Sequence, residues 1–183
     1  MQFKNTRERF GIVTKSFHWS IALLIICLVP MGIFLADYAE TKTKFALFPY
    51  HKEFGILVLV LASCRVLWHL YSFPPQFVPS LKAWEKWGAR VAHALLYVAM
   101  FAMPLSGWIL SSASGRTVNF FGIDLPNFVA PSKGTKDFFE DIHGFVGYAL
   151  IPLVGLHVAG ALKHHFFDKD ITLKRMLPFG LKD

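Results

Sequence analysis

Apolar residues run almost unbroken through four stretches of this chain. Residues 16–36, 91–115 and 142–162 hold no Asp, Glu, Lys or Arg, and 54–71 hold only Arg65. A run of about 18 or more apolar residues without charge is long enough to cross a membrane as a helix. The pattern predicts four such helices, at 16–36, 50–71, 88–111 and 138–165. The expected fold is all-α, a four-helix transmembrane bundle with up-down topology, forming a single domain over 1–183. The connections of about 13, 16 and 26 residues leave little chain for an extramembrane domain.

Composition agrees. Apolar residues make up 54% of the 183 and charged residues 17%, against about 25% charged in an ordinary soluble domain. A soluble globular domain, a disordered chain and a disulfide scaffold are all excluded. The net charge of +7 points to nucleic acid only until the charges are mapped. The tails and the second connection, with Arg65 nearby, carry 13 Lys and Arg and five acidic residues; the other two connections carry six and seven. The basic side of a membrane protein faces the cytoplasm. Both termini are therefore expected there, and anionic lipid is partner enough for the basic tails, without nucleic acid.

The first apolar run is too long for a signal peptide and no small-x-small cleavage site follows it, so it is expected to remain as a helix. Cys27 and Cys64 fall inside spans without a C-x-x-C context, so zinc and covalent haem attachment are unsupported, and they are expected to be small buried apolar residues. Trp19, Trp68, Trp84, Trp87 and Trp108 sit near span ends, as an aromatic belt would. The third connection holds Phe120, Phe121, Ile123 and Leu125, too apolar for a solvated loop. It is expected to fold back on the outer face.

Eight histidines stand in this chain, and their placement matters more than their number. His18, His51, His93, His143 and His157 lie inside spans, where ionisable residues are costly and mark function by default. The bland alternative for any one of them is a hydrogen-bonded packing residue. His143 and His157 are 14 residues apart. That is close to four helical turns, so both face one side, about 21 Å apart along the axis. Gly147, Leu150 and Val154 lie between them on that face, and Gly147 leaves room for something flat and wide.

Depth then groups the histidines. His51 and His143 fall near the outer end of their helices, and His18 and His157 near the inner end. Two facing histidines at one level can hold a haem iron from both sides. Zinc would want four ligands at each level, commonly with Cys or carboxylate. Glu53, Glu140 and Asp141 leave a metal ion possible at the outer pair; the inner pair has no such neighbour. Depth leaves one ambiguity: His93 partners His157 as well as His18 does.

The segments "TRERFG", "FHW", "HKEFGIL", "RVLW", "AHALLYVAMFAMPLSGW", "FGIDLP" and "LKHHFFDKDITLKRM" together resemble the bacterial cytochrome b561 family, over nearly the whole chain. The resemblance implies a four-helix bundle of the bacterial inner membrane holding two haems b. The family's ligand pattern falls on His18 with His157 and on His51 with His143; His93 matches a family histidine not assigned to iron. One branch of the family is a superoxide oxidase that passes electrons to ubiquinone.

The function expected is electron transfer between a small outer-side donor, superoxide being the candidate, and membrane ubiquinone. On that reading the protein is a superoxide:quinone-type oxidoreductase; otherwise it is an electron carrier. Lys52, Arg116 and Lys136, with Lys42, Lys44 and Lys133, could form a rim that attracts an anion, although solvated loop charges are the plainer reading. His93, His164 and Lys163 could serve a quinone site at the inner end, although Lys163 and His164 also suit a helix end at headgroup level. The alternative is a non-catalytic haem b relay subunit that docks to a dehydrogenase or hydrogenase. The short tails and loops disfavour it and point to no obligate protein partner. A haem-free protein with structural histidines is the third reading.

Overall fold

A computed structural model of the chain describes residues 2–178. Lys182 and Asp183, counted in the charge map above, lie outside the described residues. Four long helices make up the body: α1 (Ile12–Asp37), α2 (Thr41–Tyr71), α3 (Ala83–Ala113) and α4 (Lys133–Phe166). A short hairpin of β1 (Asn119–Phe120) and β2 (Ile123–Asp124) lies between α3 and α4, and α5 (Thr172–Met176) follows. All four long helices are long and apolar enough to cross a membrane. The four-helix transmembrane bundle expected from the sequence is therefore the fold.

Every helix extends beyond its apolar run. α2 begins at Thr41, not near residue 50, and the first connection shrinks to 38–40. Hydropathy marks the part of a helix that lies in lipid, whereas backbone hydrogen bonding continues through polar turns such as 41–44. Each long helix also contains one proline: Pro30, Pro49, Pro104 and Pro152. Helices packed in a membrane tolerate proline because neighbouring groups re-satisfy the freed backbone.

The packed core lies at mid-depth. Ile21 of α1, Val58 and Ala62 of α2 and Met100 of α3 are buried together, flanked by Leu24, Leu28, Leu61 and Phe101. Elsewhere large apolar side chains point outward, among them Leu67, Val98, Phe145 and Leu156, and Cys27 and Cys64, expected to be buried, are exposed on the same lipid-facing surface. That is the distribution expected when lipid is the solvent, because lipid does not drive such side chains inward.

One face carries both ends of the described chain, 2–11 and 172–178, and is termed inner below, after the charge rule. The N-terminal segment folds back across it: Asn5 N donates to Ser72 Oγ at 2.9 Å, and Gln76 N to the Arg7 carbonyl at 3.1 Å. α5 closes the same face. Trp19 Nε1 donates to the Met176 carbonyl at 2.9 Å, Lys15 Nζ to that of Leu177 at 3.0 Å, and Arg175 Nη1 to that of Gln76 at 2.9 Å. On the opposite face the third connection does fold back. Phe121 (φ 48°) and Gly122 (φ 92°) form its tight turn, and both central residues of such a hairpin turn need positive φ. The ring of Phe121 packs edge-on against Phe54 of α2 at 5.8 Å. Trp108 stacks on Phe128 at 4.3 Å and donates to the Pro126 carbonyl at 3.1 Å.

Candidate functional site

Toward the outer face the rings of His51 (α2) and His143 (α4) meet with centroids 6.2 Å apart. Glycines surround them. A Cβ on Gly32 of α1 would come within 3.0 Å of His51 Cε1, and one on Gly107 of α3 within 2.9 Å of His143 Cε1. Gly55 and Gly147 stand one turn along from each histidine, and these four glycines, with Gly144, line a cavity of about 500 Å³. Cofactor sites typically measure about 300–1,000 Å³.

The hydrogen bonds of His143 fix its tautomer. Its Nδ1 lies 3.0 Å from the Met103 carbonyl and 3.1 Å from Ser106 Oγ. A carbonyl only accepts, so Nδ1 carries the proton and Nε2 keeps its lone pair free for a metal. Nδ1 of His51 is buried and, among the described residues, has no hydrogen-bond partner.

Cations gather at the mouth of this cavity: Lys44, Lys52, Arg116 and Lys136 all line it, with Asp37 and Glu140. Both carboxylates are engaged, Asp37 by Tyr148 Oη at 2.7 Å and Glu140 by Lys136 at 2.5 Å. Lys52 donates to Ser111 Oγ at 2.8 Å. Among the described residues, Lys52 and Arg116 have no carboxylate partner, whereas Lys136 and Lys133, also named from the sequence, are paired with Glu140 and Asp137.

Deeper, toward the inner face, His18 (α1) and His157 (α4) stand at the same 6.2 Å centroid separation. His93 (α3) lies closer, 5.2 Å from His157. Two imidazoles facing each other across one metal ion, at metal–nitrogen bonds of about 2.0 Å and ring radii of about 1.1 Å set by C–N bonds near 1.33 Å, would have centroids about 6.2 Å apart. His51 with His143, and His18 with His157, match that span. The shorter separation of His93 from His157 does not. Arg65 of α2 lies within electrostatic range of His18, His93 and His157.

The residues gathered from the sequence for a quinone site fall into two groups. His93 packs on His157 inside the bundle. Lys163 and His164 join an ionic cluster at the inner surface. Lys163 bridges Glu85 and Asp168, the latter at 2.7 Å, and His164 Nδ1 lies 2.8 Å from Asp168 and 3.0 Å from Asp170.

The comparison with known proteins accords with this arrangement. A family model described as prokaryotic cytochrome b561 matches residues 9–179. The chain belongs to the prokaryotic cytochrome b561 family. Its relatives match over nearly their whole length. "Cytochrome b561 homolog 2" of Escherichia coli K12 is 36% identical, covering 97% of this chain and 95% of that protein. "Cytochrome b561 homolog 1" of the same strain is 34% identical, covering 93% and 98%. The "Probable superoxide oxidase CybB" of Yersinia pestis is 28% identical, covering 93% and 97%. This cytochrome b561 is therefore a multi-pass membrane protein of an electron-transfer family for which b-type haem is the implied cofactor.

Sequence reasoning did not single out Gly32, Gly55, Gly107 and Gly144. Gly55 had a signal, since it repeats the histidine-to-glycine spacing of four that His143 and Gly147 show. Arg65 was visible only as a charge near the inner side.

Proposed function

We propose that this chain carries two haems b, the outer held by His51 and His143 and the inner by His18 and His157. We further propose that it passes electrons from superoxide at the outer face to ubiquinone in the membrane, with both termini in the cytoplasm. The observation that carries the reading is the pair of 6.2 Å ring separations, recurring at two depths on facing helices. Haem would supply one-electron redox chemistry, and His51 with His143 and His18 with His157 are the residues that would hold it.

The protein's residues do the rest. Met103 and Ser106 orient the His143 ring, and the glycines admit a broad flat group. Lys52 and Arg116 attract a small anion to the outer mouth. Two superoxide anions each give up one electron and leave as O₂; the two electrons, with two protons, convert one quinone to quinol. The ionic cluster of Lys163, His164, Glu85 and Asp168 at the inner surface would supply those protons. The superoxide part is supported by this rim and by the name of the Yersinia relative.

The test is a reduced-minus-oxidised spectrum with haem counted per polypeptide, followed by rapid mixing with superoxide. About two low-spin b haems per chain, reduced by superoxide and reoxidised by quinone, support the proposal. One haem or none overturns the ligand pairs. Two haems that superoxide leaves oxidised overturn the donor, and reduction only by a co-purifying dehydrogenase would favour the relay subunit.

A further inference from the structure

Arg65 stands on the second helix in the inner half of the bundle, and its surroundings are basic. His18, His69, His93 and His157 are all within electrostatic range of its guanidinium. The Tyr97 ring lies 5.4 Å from its Cζ, and Tyr97 Oη is bonded to His69 Nδ1 at 3.1 Å. Arg65 and His69 are one turn apart on α2, as His93 and Tyr97 are on α3, so two short ladders face each other. Arg65 Nε is buried and, among the described residues, has no hydrogen-bond partner; the same holds for His69 Nε2.

A guanidinium at this depth needs an anion, because a charge taken from water and left unpaired is costly. Among the described residues it has no carboxylate partner, and Asp168 and Asp170 of the inner face are taken by Lys163 and His164. The acidic residues of the four long helices are Asp37, Glu53, Glu85, Asp137, Glu140 and Asp141. Five lie at the outer ends. Glu85 lies at the inner surface and is taken by Lys163 and by the Lys82 amide at 2.8 Å. The counter-charge must therefore arrive with a bound group. A guanidinium presents a planar fork of donors that matches a carboxylate.

We infer that Arg65, braced by Tyr97 and His69, binds a carboxylate of the inner-level group, namely a propionate of the haem held by His18 and His157. This rests on the ligand pairs proposed above. It gives the inner level a fixed positive charge where the outer level has only its rim. Such a charge favours the electron-rich state of its neighbour, so the inner haem is held at the higher midpoint potential by this residue.

The test uses the full-length haem-loaded protein. Redox titration and the propionate bending mode in resonance Raman spectra are compared for wild type, Arg65→Gln, Arg65→Lys and His157→Ala. His157→Ala removes the inner haem and so identifies the inner wave. Arg65→Gln is expected to lower that wave alone, changing the reduced-to-oxidised ratio at fixed potential by about tenfold, or ~59 mV for one electron. It should also shift the propionate mode, and Arg65→Lys should recover most of the midpoint. Selective loss of the inner haem in Arg65→Gln would equally support the inference. Two haems with both midpoints and the propionate mode unchanged would overturn it, and would show the carboxylate to be absent or lipid-borne. If Arg65→Gln does not fold, Arg65→Lys decides: a shifted propionate mode supports the pairing, and an unshifted one overturns it. If His157→Ala keeps two haems, the ligand pairs fail, whatever Arg65 does.

Discussion

The Met103 carbonyl stands 3.0 Å from Nδ1 of His143 and so decides which ring nitrogen is free. That bond crosses from α3 to α4, and one turn further along α3, Gly107 lies against the same ring. Gly107→Ala would place a methyl 2.9 Å from His143 Cε1. The ring must then turn and stretch its bond to Met103. Haem content is expected to fall from two toward one per chain, read by pyridine haemochrome assay. Gly32→Ala, at 3.0 Å from His51, is expected to have the same effect more weakly. Gly88→Ala, with nothing within 4 Å, should leave haem content unchanged and raise helix stability by about 0.5–1 kcal/mol.

Lys52 projects at the outer mouth and is tethered, among the described residues, to Ser111. Attraction of an anion by such a charge acts on the encounter rate and is screened by salt. Lys52→Gln is expected to slow haem reduction by superoxide several-fold at low ionic strength. The gap to wild type should narrow at high ionic strength. Stopped-flow traces at two salt concentrations would check both.

Glu85 holds the start of α3 to the end of α4. Its carboxylate accepts from the Lys82 amide and from Lys163. Removing it frees the Lys82 amide and leaves Lys163 to Asp168, breaking the tie between the two helices. Glu85→Ala is therefore expected to lower the thermal midpoint more than Asp168→Ala does, since Asp168 shares Lys163 from a more exposed position. Thermal unfolding in detergent, followed by circular dichroism, would rank the two.

Asp170 ties the end of α4 to α5. Burial opposes its ionisation, but the Thr172 amide at 2.7 Å and His164 at 3.0 Å outweigh that and hold its carboxyl below the ordinary value. A carboxyl whose pKa is lower folded than unfolded contributes stability above its unfolded value, near 3.9. The contribution is lost as pH falls through the lower folded value. α5 is expected to detach as pH drops below about 4, and Asp170→Asn should detach it at neutral pH. Hydrogen exchange at the amides of 172–176 would report both.

The four helices could be read from hydropathy because lipid imposes a length on every span. Their ends could not, since the turns at 41–49 are polar enough to leave lipid yet still form backbone hydrogen bonds. The two depths of the histidines followed from counting residues along helices. Which of His18 and His93 stands across from His157 did not, because that depends on how α1 and α3 are rotated against α4. The glycine cradle was read from the sequence at Gly147, and the same spacing from His51 also marked Gly55. Gly32 and Gly107 belong to helices that meet the histidines through tertiary packing, and nothing in their own segments marks them. α5 is too short for a periodic signal, and its position comes from bonds to Trp19, Lys15 and Gln76.

Between the two histidine levels lies the mid-depth packing of Ile21, Val58, Ala62 and Met100. None of these side chains can hold a hydronium or hydrate an ion, so water is kept from between α1, α2 and α3 at this depth. Electrons can tunnel through such a layer where ions cannot pass. The same few side chains that hold these three helices together therefore also bar protons from the space between them. A polar substitution at Ala62 would be read first as a proton leak in vesicles.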